Sequence, residues 1–143
     1  MNLSALDPQL VANIRRGTVI PAHPLALTAD GSLDIAHQRA LTRYYVDCGA
    51  GGIAVGVHST QFEIRDPDVA LYRPVLELAA DTVDHWAAEG QETFAMIAGV
   101  CGPTDQALDE GSYETRLCRH VRAPRGTAGL WADTAVAGLE ALR

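Results

Sequence analysis

Cys48-Gly-Ala-Gly-Gly-Ile-Ala-Val-Gly-Val57 is the stretch on which the fold class turns. Its second half, Gly52 to Val57, is short, continuous and apolar, the pattern of a strand buried on both faces of a parallel sheet. Its first half closes the segment before it, where Leu41, Tyr45 and Cys48 fall at i, i+4 and i+7 on one helical stripe. Gly49 is then the glycine just past that helix. A dinucleotide fingerprint needs its glycines after a strand and opening a helix. Here the order is reversed, so Gly49 to Gly52 read as a helix cap and tight turn.

Working upstream, the helix opens at Ser32 or Asp34, either of which can cap free N–H groups, after the turn residues Thr28 to Ser32. Gly17-Thr-Val-Ile-Pro-Ala22 predicts a first strand that ends near Ile20 or bulges at Pro21, because proline cannot donate to a ladder. Downstream, Asp66-Pro67 reads as an N-cap followed by proline at the first helical position. Pro74 predicts a break, with a short helical turn before it and a longer helix from about Val75 to Glu89. Leu76, Ala79, Val83 and Trp86 form the apolar stripe of that helix, and Gly90 closes it. Thr93 to Ala98 predicts a third strand, and Thr104 caps a third helix through Leu108. This β-α-β-α-β-α order predicts an α/β fold of consecutive parallel βα units. Open doubly wound sheets and closed barrels both begin this way.

The 143 residues, 48% apolar with a net charge of −7, suit one globular domain or part of one. The longest stretch without Asp, Glu or Arg lies between Asp47 and Glu63. It carries His58, Ser59 and Gln61, so no membrane span is expected. Asp7 and Pro8 interrupt any signal-peptide core, which makes the cytoplasm the expected address. The acidic balance argues against a nucleic-acid partner. Cys48, Cys101 and Cys118 are odd in number at unrelated spacings, so neither a disulfide framework nor a zinc pattern is expected. All 11 cationic side chains are arginine; there is no lysine.

Residues 1–110 carry six arginines against fifteen acids, whereas 111–143 carry five against three. Ser112 to Gly129 show neither a strand run nor a clean helical stripe. The expected organisation is therefore a leader at 1–16, helical or extended, βα units at 17–110, and an atypical Arg-rich tail at 111–143.

Ligand-handling groups in parallel α/β folds sit at the carboxyl ends of strands. Those ends are His23, His58-Ser59-Thr60 and Gly99-Val100-Cys101. Hydroxyls and N–H groups at Ser59 and Thr60, with His58 and His23 beside them, can hold a small carboxylate or phosphate. Cys101 with His58 as base is a thiol alternative. His23 and His58 can converge, but no carboxylate stands at a ligand-like interval, so no metal is expected. Tyr44 and Tyr45 read as packing surface.

Asp30-Gly-Ser-Leu-Asp34, Cys48 to Val57 running into a hydroxyl loop, and Met96-Ile-Ala-Gly-Val-Cys-Gly-Pro-Thr104 together resemble the dihydrodipicolinate synthase / N-acetylneuraminate lyase family over about residues 14–110. The resemblance implies a lyase or aldolase that acts on 2-oxo acids such as pyruvate through a Schiff base on a (β/α)8 TIM barrel, without a cofactor. It implies an incomplete barrel here, about the first three units, plus a non-homologous tail of the kind a frameshift or early stop produces. The family's Thr-Pro-Phe segment corresponds to His23-Pro24-Leu25, where only the proline matches. Its Gly-Thr-Thr-Gly-Glu loop, which grips the substrate carboxylate, corresponds to His58-Ser59-Thr60-Gln61-Phe62. The two hydroxyl positions are kept; both glycines and the acid are replaced. The family's relay tyrosine and Schiff-base lysine have no counterpart.

An imine with a 2-oxo acid needs a primary amine, which arginine does not offer. The expectation is therefore a chain of lyase ancestry, inactive by itself, with a small 2-oxo acid as ligand, no nucleic-acid or membrane partner, and homo-oligomers among full-length relatives. The alternative is a small non-catalytic α/β module that binds through the 58–66 loop and an open sheet edge. A third reading is a metal- or thiol-dependent hydrolase built on His23, His58 and Cys101.

Overall fold

The computed structural model describes residues 8–57, 62–86 and 93–120, with backbone only for 114–120. Their order is α1 (Pro8–Arg16), α2 (Ile35–Asp47), β1 (Gly52–Val55), a 3-10 turn (Phe62–Arg65), α3 (Tyr72–Trp86), β2 (Ala95–Ala98) and α4 (Thr104–His120). The fold is mixed α/β around a parallel strand pair, with Ile53 opposite Met96 and Val55 opposite Ala98.

The expected first strand is reduced to a single parallel bridge, Ala22 to Ala54, on the free side of β1. Pairing nonetheless runs past Ile20 and through Pro21. The carbonyls of Val19 and Pro21 accept from Gly51 and Ala54, and the His23 N–H donates to the Ala54 carbonyl at 2.8 Å. Proline lacks only the donor, so its carbonyl still joins the ladder. Three successive chain segments thus lie side by side in sequence order, joined through α2 and α3.

Asp34 is the N-cap of α2, its carboxylate accepting the His37 N–H at 3.0 Å. At the other end Gly49 takes φ of +76°, while Gly49 N–H bonds Val46 O and Ala50 N–H bonds Tyr45 O. This is a Schellman cap, the turn expected from the glycines. The buried stripe of α2 is Gln38, Thr42 and Val46. It is rotated from the expected Leu41, Tyr45 and Cys48, because the helix buries two polar side chains to meet a buried histidine beneath it.

Helix α3 begins at Tyr72, three residues before the expected start. Pro74 stands in its first turn, where a backbone N–H has no intrahelical partner anyway. Asp66 and Pro67 lie in the turn before it rather than capping a helix. Leu76, Ala79 and Val83 are buried as expected, but Trp86 is 42% exposed. Its ring lies under Arg43 and its Nε1–H donates to Asp47 at 2.8 Å, which ties α3 to α2. The expected end of α3 at Glu89 and Gly90 lies outside the described residues.

The core packs Ile53 and Val55 of β1 against Val75, Leu76 and Ala79 of α3, all with no exposed surface. Each of the larger side chains contributes about 1.5–3 kcal/mol by burial. The other sheet face differs. Ala22, Ala54 and Ile97 share it by register, yet Ala22 is exposed and the other two are half-buried. The expected burial of β1 on both faces is met at Gly52, Ile53 and Val55 but not at half-buried Ala54.

Helix α4 continues from Thr104 to His120, past the expected end at Leu108 and across position 110. Ala107, Glu110 and Gly111 are buried at helical spacing, a face hidden from hydrophobic periodicity because an acid and a glycine occupy it. Residues 111–120 of the segment read as a tail belong to this helix; 121–143 lie outside the described residues. Among the described residues, no helix is long and apolar enough to cross a membrane.

Candidate functional site

His23 ends the first paired segment, but strand alternation turns its side chain to the helix-covered face, opposite Ala22. It is fully buried under α2. The Gln38 side-chain amide donates to its Nδ1 at 2.6 Å, and its Nε2 bonds the Thr42 hydroxyl at 2.9 Å. The Ala26 N–H on Gln38 Oε1 fixes the amide orientation, so Nδ1 is the acceptor and Nε2 carries the proton. Burial holds the imidazole down at a pKa of about 4, opposed in part by the Pro24 carbonyl. His23 is therefore a neutral core histidine, with both ring nitrogens engaged.

His58, Ser59 and Thr60 lie outside the described residues, and so does any convergence of His58 with His23 or Cys101. The far end of their loop is the 3-10 turn Phe62–Arg65. Ile64, 2% exposed, roots that turn in the core, and its carbonyl accepts the Leu71 N–H. With Ile64 directed inward, Arg65 lies across the carboxyl ends of β1 and β2.

The Arg65 Nη2 donates to the Gly99 carbonyl at 2.6 Å and the Gly56 carbonyl at 3.0 Å. Each is the first carbonyl past its strand. Its Nε donates to Glu110 Oε1 at 2.9 Å. The guanidinium lies 4.2 Å over the Tyr72 ring, whose hydroxyl donates to the same Gly99 carbonyl at 2.8 Å. Glu110 also accepts from the Gln106 amide on Oε1 and from the Cys101 backbone N–H on Oε2. The strand ends approach so closely that a Cβ at Gly99 would collide with the Gly56 carbonyl. One group is left over: Arg65 Nη1 is buried and has no hydrogen-bond partner.

Arg65, Tyr72 and Glu110 are absent from the candidates read in the sequence. The available signal was one arginine after a strand-end loop in an otherwise acidic stretch. Its partner lies 45 residues away, beyond any local pattern. The Cys101 thiol is pushed up chiefly by burial, with Arg65 opposing. That is the reverse of the depressed pKa a nucleophilic thiol needs. Among the described residues no group of three His, Cys, Asp or Glu side chains is placed to hold a metal ion.

A cleft of about 730 Å³ opens at the opposite, amino end of the strands, bordered by Asn13, Arg16, Thr18, Gly51 and Thr93. Its polar groups already serve one another, Asn13 donating to Thr93 and accepting from Arg16. Parallel α/β sheets take ligands at the other end. The chain matches no protein-family model, no curated protein and no solved structure.

Proposed function

We propose that this chain is a lysine-free α/β unit of the dihydrodipicolinate synthase / N-acetylneuraminate lyase kind. In this reading it binds a small 2-oxo acid at the carboxyl ends of its parallel strands and forms no Schiff base with it. One observation carries the reading. The polypeptide leaves β1 straight into the His58-Ser59-Thr60 loop, and Arg65 at the far end of that loop is bonded to both strand ends. Such a loop is anchored at either side of the position where ligands meet parallel strands.

Two further features support a barrel-like ancestry. The paired segments follow one another in sequence order, and the small residues Ala22 and Ala54 stand on the less covered sheet face. Inward faces of closed barrels are filled by facing strands, and three segments supply part of such a ring. Chemically the unit would act as a binder: the Ser59 and Thr60 hydroxyls donate to the ligand carboxylate, and no side-chain amine stands ready to attack its keto carbon.

The test is titration of the full chain with pyruvate by calorimetry, followed by borohydride reduction and intact-mass measurement. Saturable binding without a covalent adduct beyond the N-terminus is the expected result. Absence of saturable binding ends the 2-oxo-acid reading, and an internal adduct ends the non-covalent one.

A further inference from the structure

The unspent nitrogen of Arg65 says more about the ligand than the loop does. A guanidinium has five N–H donors in a rigid fork. Here Nε and Nη2 are committed to Glu110, Gly56 and Gly99, while Nη1 has none of its partners although the side chain is only 6% exposed. A buried donor left unmade is costly, and such a group in a folded protein calls for an occupant.

The charge around it restricts what that occupant is. Glu110, 7% exposed, already sits on the guanidinium, and two carbonyl oxygens face the same group. The cluster is thus compensated before any ligand arrives. A carboxylate brought to Nη1 would stand close to the Glu110 carboxylate and gain little from a charge already paired. A neutral acceptor oxygen makes the same hydrogen bonds without that repulsion. Tyr72 closes the face beneath, its ring against the guanidinium and its hydroxyl spent on Gly99.

Building on the proposed 2-oxo-acid reading, we infer that Arg65 Nη1 takes the keto oxygen of the ligand, and that its carboxylate binds elsewhere. Arg65 is then a specificity-determining residue: it selects 2-oxo acids over the simple carboxylates that share their charge and size. Loss of one hydrogen bond to a charged donor corresponds to roughly 10-fold or more in affinity.

The experiment uses the full chain labelled with ¹⁵N and ¹³C, in which the arginine Nη and Nε resonances are followed while pyruvate or propionate is added. Arg65 is assigned through its backbone. Pyruvate is expected to bind about 10-fold or more tightly than propionate and to shift the Arg65 Nη signals, whereas propionate leaves them in place. Equal affinity with equal shifts would show that Nη1 takes a carboxylate oxygen and overturns the inference. Pyruvate binding with an unmoved Arg65 also overturns it, leaving Nη1 to a buried water, while the broader binding reading stands. Failure of both acids to bind removes the underlying reading as well. Arg65→Lys keeps the charge beside Glu110 but removes the fork. Where its melting curve shows a folded protein, the preference for pyruvate over propionate is expected to vanish.

Discussion

Arg65 Nε and Glu110 Oε1 meet at 2.9 Å, 45 residues apart in sequence and each less than a tenth exposed. This contact joins the turn after β1 to α4 across the ends of both strands. Removing one partner of such a pair leaves an uncompensated buried charge, which costs about 3–5 kcal/mol. Glu110→Ala is therefore expected to lower the urea midpoint strongly. The double change Arg65→Met with Glu110→Leu should recover much of that loss, because it buries no unpaired charge. A Glu110→Ala protein as stable as the parent would show that the pair bears no strain of burial.

His23 makes stability depend on pH. Its imidazole titrates near 4 in the folded chain against 6.5 for an unperturbed histidine. Between those values the unfolded state binds more protons, so stability rises with pH across this window. The contribution is complete above about 6.5 and is lost as pH falls through 4; at most it amounts to about 3 kcal/mol. Imidazole NMR signals of His23 should stay in the neutral form down to about pH 5. A His23 signal that titrates near 6.5 would contradict the buried geometry.

Gln38 serves three partners at once, donating to His23 Nδ1 and the Pro24 carbonyl and accepting from Ala26 N–H. Gln38→Leu keeps the volume but strands these groups, at about 1–3 kcal/mol for each buried one left unpaired. Denaturant melts should show the loss, and the Ala26 amide should exchange faster with solvent.

Gly49 offers a cleaner measurement. Its φ of +76° is the left-handed region, and a Cβ built there meets nothing within 4 Å. Gly49→Ala should thus cost about 1–2 kcal/mol through backbone strain alone. A near-neutral result would mean that the Schellman turn is not formed in solution.

The local devices were legible in the chain. Asp34 as N-cap, Gly49 as terminator and the runs around Ile53 and Met96 depend on neighbours within a turn or a strand. Expectations failed where two elements had to be known together. Pro74 marked a break, yet it sits harmlessly in the first turn of α3. The buried stripe of α2 departs from Leu41-Tyr45-Cys48, because nothing local shows that Gln38 and Thr42 are buried to serve His23. Of the candidate site, His23 was legible as a strand-end residue but not its inward turn, while Arg65 and Glu110 carried no mutual signal.

Composition alone decided that this chain holds no lysine, hence no side-chain amine for an imine, and local patterning marked the runs around Ile53 and Met96 as strands. These properties are covalent or local, so they survive any arrangement of the helices. Only the tertiary structure decided which way His23 faces and which groups close over the strand ends. Hydrogen bonds between distant segments depend on packing: the helices must already cover the sheet before Arg65 has carbonyls to bridge, or a nitrogen to spare.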